Sequence, residues 1–185
     1  EPHGRVRFLS DEERARLLHA CRASQNRWLY PVVVLALATG ARKMEILHLT
    51  WADVDLRRTR ITLHDTKNRE LRALPLAGHA LDAIRTLAKV RRLDTSLLFP
   101  RADGRYPLDI RYAWAHTLQE ADISDFRFHD LRHSAASYLA MTGASLAELA
   151  AILGHKTLQM VQRYAHLSEA HTAGVVARMN AAIFD

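Results

Sequence analysis

A single cysteine, Cys21, stands among the 185 residues, so no disulfide can form within the chain, and a reducing compartment suits it. Glycine and proline are sparse, at seven and five, and no repeat or low-complexity segment interrupts the sequence. Long hydrophobic runs are missing as well. The longest, Val32 to Ala38, falls far short of the ~20 residues that a membrane-spanning helix needs. It reads instead as a buried helix. No signal-peptide pattern opens these residues.

What is present is an ordinary globular composition, 49% hydrophobic and 25% charged, long enough for one domain or at most two and for a real core. The charge is one-sided. Lys and Arg number 26 against 20 Asp and Glu, giving a formal net charge of +6 and a pI of about 9.9. Such a surplus favours a polyanionic partner without naming one.

Residues 1–8, with Pro2 and Gly4 and no periodicity, read as the tail of a linker. Ser10 and Glu13 then have capping-box spacing, which predicts a helix over Asp11–Ala23 with Ala15, Leu18 and Arg22 on nearby turns. A second helix, 27–38, is apolar on most sides and is expected at the centre of the core. Thr39-Gly40 interrupts it, and a short helix from Arg42 to Leu47 follows. Alternation in Thr59–His64 and Glu70–Pro75 predicts two strands, joined by a polar turn from Asp65 to Arg69 with Lys67 near its tip. Helical periodicity returns over 77–90 and 109–121, around a loop holding Pro100, Gly104 and Pro107. Short helices complete the chain. One spans His129 to Met141 and ends at Gly143; a second capping box, Ser145 with Glu148, opens one that stops at Gly154. The last two cover 158–164 and 169–183. The fold class expected is mostly α with one small antiparallel β-sheet, an α+β domain.

Four stretches hold the candidate chemistry: Thr39-Gly40-Ala41-Arg42-Lys43-Met44-Glu45, Phe128-His129-Asp130-Leu131-Arg132-His133-Ser134-Ala135-Ala136, Leu153-Gly154-His155 and Arg163-Tyr164-Ala165-His166. A guanidinium binds phosphate through two prongs and stays charged. Arg42 at a helix start and Arg132, three residues after His129 on one helix face, therefore form a candidate phosphate clamp. Taken singly, each would be read as a solvated surface arginine. His129 and His133, at i and i+4, have the spacing of a zinc pair. Asp130 follows His129 where a zincin carries Glu, however, and the charge of Arg132 inside the motif opposes a dication. No metal is expected. His155 alone would be a histidine favoured by a helix C-terminus, and Tyr164 alone a half-buried packing residue.

In chain order these stretches read Arg, His-x-x-Arg, Gly-His, Tyr. That order resembles the catalytic domain of the tyrosine recombinases, the phage-integrase family of site-specific DNA strand-exchange enzymes, over nearly the whole chain. The resemblance implies the integrase catalytic-domain fold (the DNA breaking-rejoining type) for residues 9–185, with the family's N-terminal core-binding DNA-binding domain lying outside this chain. It implies a site-specific recombinase or integrase that cleaves and rejoins DNA strands through a 3′-phosphotyrosyl intermediate, with no metal, nucleotide or other cofactor. Tyr164 would be the nucleophile and Arg42 and Arg132 the phosphate ligands. His129 would accept the tyrosine proton, His155 would donate to the scissile phosphate, and Lys67 would protonate the leaving 5′ oxygen. Glu45 would steady Arg42, His133 would orient neighbours or pack, and His166 would hydrogen-bond within the site.

The implied partner is double-stranded DNA at specific recombination sites. A monomer without DNA would become a homo-tetramer on two duplexes, with accessory DNA-bending proteins possible and no membrane involved. The implied location is the cytoplasm, at the nucleoid of a bacterium or of a phage host. Three alternatives compete: a type IB topoisomerase with a similar residue set, a non-catalytic DNA-binding module, and a zinc hydrolase. In the last helix, Val175, Val176, Met179 and Ile183 form an apolar stripe that either docks on a neighbouring protomer or packs on its own domain.

Overall fold

The computed structural model describes residues 7–64 and 71–184. Helix α1 spans Asp11–Ala23 and opens on the predicted box: Glu13 N–H donates to Ser10 Oγ at 3.1 Å, and Ser10 N–H to the Glu13 carboxylate at 3.0 Å. Asp11, Glu12 and Glu13 add negative charge at the positive end of the helix dipole. Its buried face is Leu17, Ala20 and Cys21, whereas Ala15 and Arg22 are exposed. The helix presents that face to α2 (Leu29–Thr39) and α5 (Arg111–Glu120).

Helix α2 is the centre of the main core. Pro31 is tolerated because it lies in the first turn, where its missing N–H breaks no intrahelical bond. Val32, Val33 and Leu35 are wholly buried, each contributing about 1.5–3 kcal/mol of transfer free energy. It packs against α1, α4 (Gly78–Lys89) and α6 (Asp130–Met141). Gly40 ends α2 in the left-handed region, at φ +62°. The chain then turns directly into α3 (Lys43–Leu47).

Three antiparallel strands form the sheet in the order β1 (Val54–Asp55), β2 (Arg60–His64), β3 (Leu71–Pro75). The short β1, which pairs Val54 with Ile61, was not expected from alternation; two residues are too few to show a period. Ile61, Leu63 and Leu74 face the core, and Leu71 and Ala73 are exposed. The turn with Lys67 lies outside the described residues.

After α5, helices α6 and α7 (Leu146–Leu153) pack together. Ser145 and Glu148 form the second box, and Gly154 ends α7 at φ +67°. The helix expected over 158–164 is replaced by two 3-10 turns, Leu158–Met160 and Gln162–Ser168. The reason is packing. Val161, Tyr164 and Leu167 recur every third residue, the 3-10 period, and face a second small core with Ala136, Ala140, Leu149 and Leu153. Helix α8 (Glu169–Phe184) follows and packs mainly on that turn. No described helix is long and apolar enough to cross a membrane.

Arg7, read as linker, is tied to the body. Arg7 pairs with Glu13 and lies over the Phe126 ring at 5.3 Å. Leu9 N–H donates to Ser134 Oγ at 3.0 Å, and Tyr138 donates to the Leu9 carbonyl at 2.8 Å. The entering chain is thus pinned to α6.

Candidate active site

Helix α6 carries three of the candidate residues at or near its N-terminus, wedged between the two cores. Arg42 comes from the α2–α3 turn, His155 from just past the end of α7, and Tyr164 from the second 3-10 turn. These elements meet around a cleft of about 650 Å³ lined by Arg42, His129, Arg132, His133, His155 and Tyr164, among others. Residues scattered over more than a hundred positions of sequence therefore share one surface.

Arg132 is 4% exposed and is held by backbone at both terminal nitrogens. Its Nη1 donates to the Gly40 carbonyl at 2.7 Å and its Nη2 to the Leu153 carbonyl at 2.6 Å. Both acceptors belong to helix ends, where carbonyls lack intrahelical partners and carry partial negative charge. Burial, then the neighbouring Arg42 and Arg72, push the guanidinium down to about 10, so it remains cationic at neutral pH. Each terminal nitrogen carries a second N–H, and the residue lines the cleft.

Arg42 occupies the N-cap position of α3. Its N–H donates to Glu45 Oε2 at 2.7 Å and its Nη1 to Glu45 Oε1 at 2.9 Å. The Arg42 side chain is 40% exposed but that of Glu45 only 7%, so the carboxylate acts as a buried post under a partly open guanidinium. Glu45 does not line the cleft itself.

His155 follows Gly154, whose left-handed turn redirects the chain into the cleft. Its Nδ1 is buried with no hydrogen-bond partner among the described residues. Burial, followed by Arg132, Arg42, Arg163 and Arg72, lowers the imidazole to about 4. At neutral pH it is uncharged, and one nitrogen is ready to donate.

Tyr164 has two environments. Its ring is 2% exposed and packs in the second core, while its hydroxyl lies 2.6 Å from His133 Nδ1. His133 was expected only to orient neighbours or pack, and it stands against the phenol. His129 stacks edge-on to His133, with ring centroids 5.2 Å apart. His166 lies exposed on the same 3-10 turn and does not line the cleft. Lys67 falls outside the described residues. Among the described residues, no three His, Cys, Asp or Glu side chains are grouped to hold a metal ion.

Arg72 was not singled out from the sequence. It lies on β3, donating from Nη2 to Glu45 Oε2 at 3.1 Å and from Nη1 to the Leu153 carbonyl at 3.0 Å. The signal was its phase: Arg72 alternates with exposed Leu71 and Ala73 and shares the inward face with Leu74. A charged residue in phase with the core side of a strand needs a partner.

The sequence matches the phage integrase family over residues 7–171. It is 33% identical to the integrase of Salmonella phage P22 over 180 residues, covering 90% of this chain and 45% of that protein. It is 36% identical to a shufflon-specific DNA recombinase of Escherichia coli over 165 residues, covering 89% of this chain and 41% of that one. The chain thus spans about half the length of the curated relatives it matches. Among solved structures, the catalytic domain of bacteriophage HP1 integrase superposes with a TM-score of 0.73 at 31% identity, covering 94% of this chain and 95% of that one. The XerA recombinase does so with a TM-score of 0.75 at 26% identity, over 97% of this chain and 66% of that one. Sequence match and fold agree, and the chain belongs to the phage integrase family, with the fold of a tyrosine recombinase catalytic domain.

Proposed function

We propose that this chain is the catalytic part of a site-specific DNA recombinase or integrase, with residues 9–185 as the catalytic unit. The observation that carries the reading is the Tyr164 hydroxyl, bonded to His133 in the cleft that Arg42, Arg132 and His155 also line. Phosphoryl transfer needs little from a protein beyond an in-line nucleophile, cations around the nonbridging oxygens, a base and an acid. Tyr164 Oη attacks a DNA phosphorus as the bond to the 5′ oxygen breaks, leaving a 3′-phosphotyrosyl ester and a 5′ hydroxyl.

Arg42 and Arg132 stabilise the charge that builds on the nonbridging oxygens, and neutral His155 donates to one of them. The phenolic proton passes to an imidazole of the His129–His133 pair, and His133 Nδ1, when unprotonated, stands 2.6 Å from the hydroxyl to take it. Lys67 protonates the departing oxygen, and Glu45 holds Arg42. Attack by the 5′ hydroxyl of a partner strand reverses the step and releases Tyr164. The phosphodiester energy is kept in the tyrosyl ester, so no nucleotide or metal cofactor is required.

The partner we propose is double-stranded DNA at specific sites, which suits the net charge of +6. Several solved relatives are DNA complexes by their own descriptions, among them XerH bound to a difH substrate. Full strand exchange uses a tetramer on two duplexes, assembled from monomers in the cytoplasm on nucleoid DNA, with accessory DNA-bending proteins at some sites. A preceding DNA-binding domain would grip the duplex from the opposite side.

Covalent trapping tests this. Wild-type protein incubated with nicked duplex fragments and EDTA should yield a denaturant-resistant DNA adduct, and Tyr164→Phe should yield none. A chain that binds duplex well but forms no adduct overturns the catalytic reading in favour of a binding module. Relaxation of a supercoiled plasmid by the protein alone would point to the topoisomerase reaction instead.

A further inference from the structure

One guanidinium connects the two arginine-bearing corners of the cleft. The Glu45 carboxylate that takes both bonds from Arg42 also accepts from Arg72 Nη2 at 3.1 Å. The Leu153 carbonyl that accepts from Arg132 at 2.6 Å also accepts from Arg72 Nη1 at 3.0 Å. Arg72 is therefore one hydrogen-bonded step from each proposed phosphate ligand, and it grips the backbone two residues before His155. We propose that Arg72 is a positioning residue for phosphoryl transfer, a rigid fork that sets Arg42, Arg132 and the Gly154-His155 turn at fixed mutual distances; this rests on the recombinase reading above.

Three further observations support the assignment. The Arg72 side chain is 13% exposed and lies against Gly154, where an added Cβ would come within 1.9 Å of Nη1. Gly154 is thus required twice, for its φ of +67° and for the room it leaves the guanidinium. Second, Arg72 Nε is buried without a hydrogen-bond partner among the described residues. A cation kept there at that cost, beside two others and one carboxylate, makes little sense as a stability device. It does make sense as part of a preorganised cationic cleft. Third, the two contacts are made by different nitrogens of one planar group, which a lysine ammonium cannot reproduce. Arg72 also pairs across the sheet with Leu63, so β3 is held beneath the cleft just after the sequence that carries Lys67.

The test compares Arg72→Met and Arg72→Lys with wild type and Tyr164→Phe by three readouts: single-turnover adduct formation on nicked duplex, DNA half-saturation, and the imidazole titration of His155 by NMR in the DNA-free protein. Both substitutions should slow adduct formation by about 10- to 100-fold, as small misplacements of reacting groups do, with little change in half-saturation. The His155 titration should rise in Arg72→Met, which removes one of the cations acting on it (Arg132, Arg42, Arg163 and Arg72). It should stay near the wild-type value in Arg72→Lys. That split separates lost charge from lost geometry.

A double-mutant cycle with Glu45→Gln should be strongly non-additive, because both changes break one network. Wild-type adduct rates in Arg72→Met would overturn the proposal. So would a slowing that only tracks the unfolded fraction in thermal melts while His155 is unmoved. If wild type binds duplex well and still forms no adduct, the recombinase reading fails, and the His155 titration still judges Arg72: a rise in Arg72→Met upholds its seat in the network, and no rise refutes it.

Discussion

Tyr164 is at once a core residue and a cleft residue. Its ring fills the second core and its hydroxyl reaches His133, so the packing that hides the phenol also aims it. A His133→Ala variant removes the imidazole that stands 2.6 Å from that hydroxyl. It should keep the fold and DNA half-saturation while lowering single-turnover adduct formation by about 10²–10⁴-fold, the usual worth of a proton acceptor. His155 offers a pH signature. With its imidazole lowered from 6.5 to about 4, the folded chain stays neutral where the unfolded chain takes up a proton. Stability should therefore fall as pH drops from about 6.5 to 4 and gain nothing more from this group at higher pH. Denaturant melts across that range check the sign. A DNA phosphate in the cleft should raise the titration of His155, because an adjacent anion favours the imidazolium.

At the scale of elements, two glycines on helices should behave oppositely. Gly40 has φ +62°, and a Cβ there would lie 2.5 Å from Leu153 Cδ2. Gly40→Ala combines left-handed strain with overpacking and should cost on the order of 2–4 kcal/mol. It should also disturb Arg132, which is bonded to the Gly40 carbonyl. Gly174 lies within α8 with only the end of Arg178 nearby, at 3.5 Å. Gly174→Ala should stabilise that helix by roughly 0.5–1 kcal/mol. Thermal melts and far-UV circular dichroism separate the two outcomes. The same turns show how the site is assembled: α2 and α7 each end on a left-handed glycine, and the carbonyl one residue before Gly154 and that of Gly40 itself both bind Arg132.

For the whole molecule, the informative element is α8. Val175, Val176, Met179 and Ile183 are each at least 44% exposed. The apolar stripe seen in the sequence is thus not buried against its own domain. Removing the residues after Thr172 should leave the thermal midpoint of the remaining chain nearly unchanged and single-site cleavage intact, while weakening assembly on DNA. Loss of cooperative unfolding in the truncated chain would refute this. At the opposite end, Leu9 is clamped by Ser134 and Tyr138 on the helix that carries Arg132, so the entering chain and the cleft share one rigid element.

The amino-acid sequence by itself determined the local structure and the chemical inventory. Capping boxes at Ser10 and Ser145, the apolar run of α2 and the alternation of β2 are short-range signals, and each element formed close to its expected limits. The order of Arg42, His129, Arg132, His155 and Tyr164 was likewise enough to point to the family, because motif order needs no coordinates. What only the tertiary structure decided was pairing. Which histidine meets the phenol depends on how the 3-10 turn seats Val161 and Tyr164 against α6, a choice that i and i+4 positions on one helix leave open. The two-residue β1 exists only because β2 lies beside it. Arg72 acquires meaning only when β3, the α3 start and the α7 end converge. Those contacts join residues up to 81 positions apart, and no local pattern encodes them.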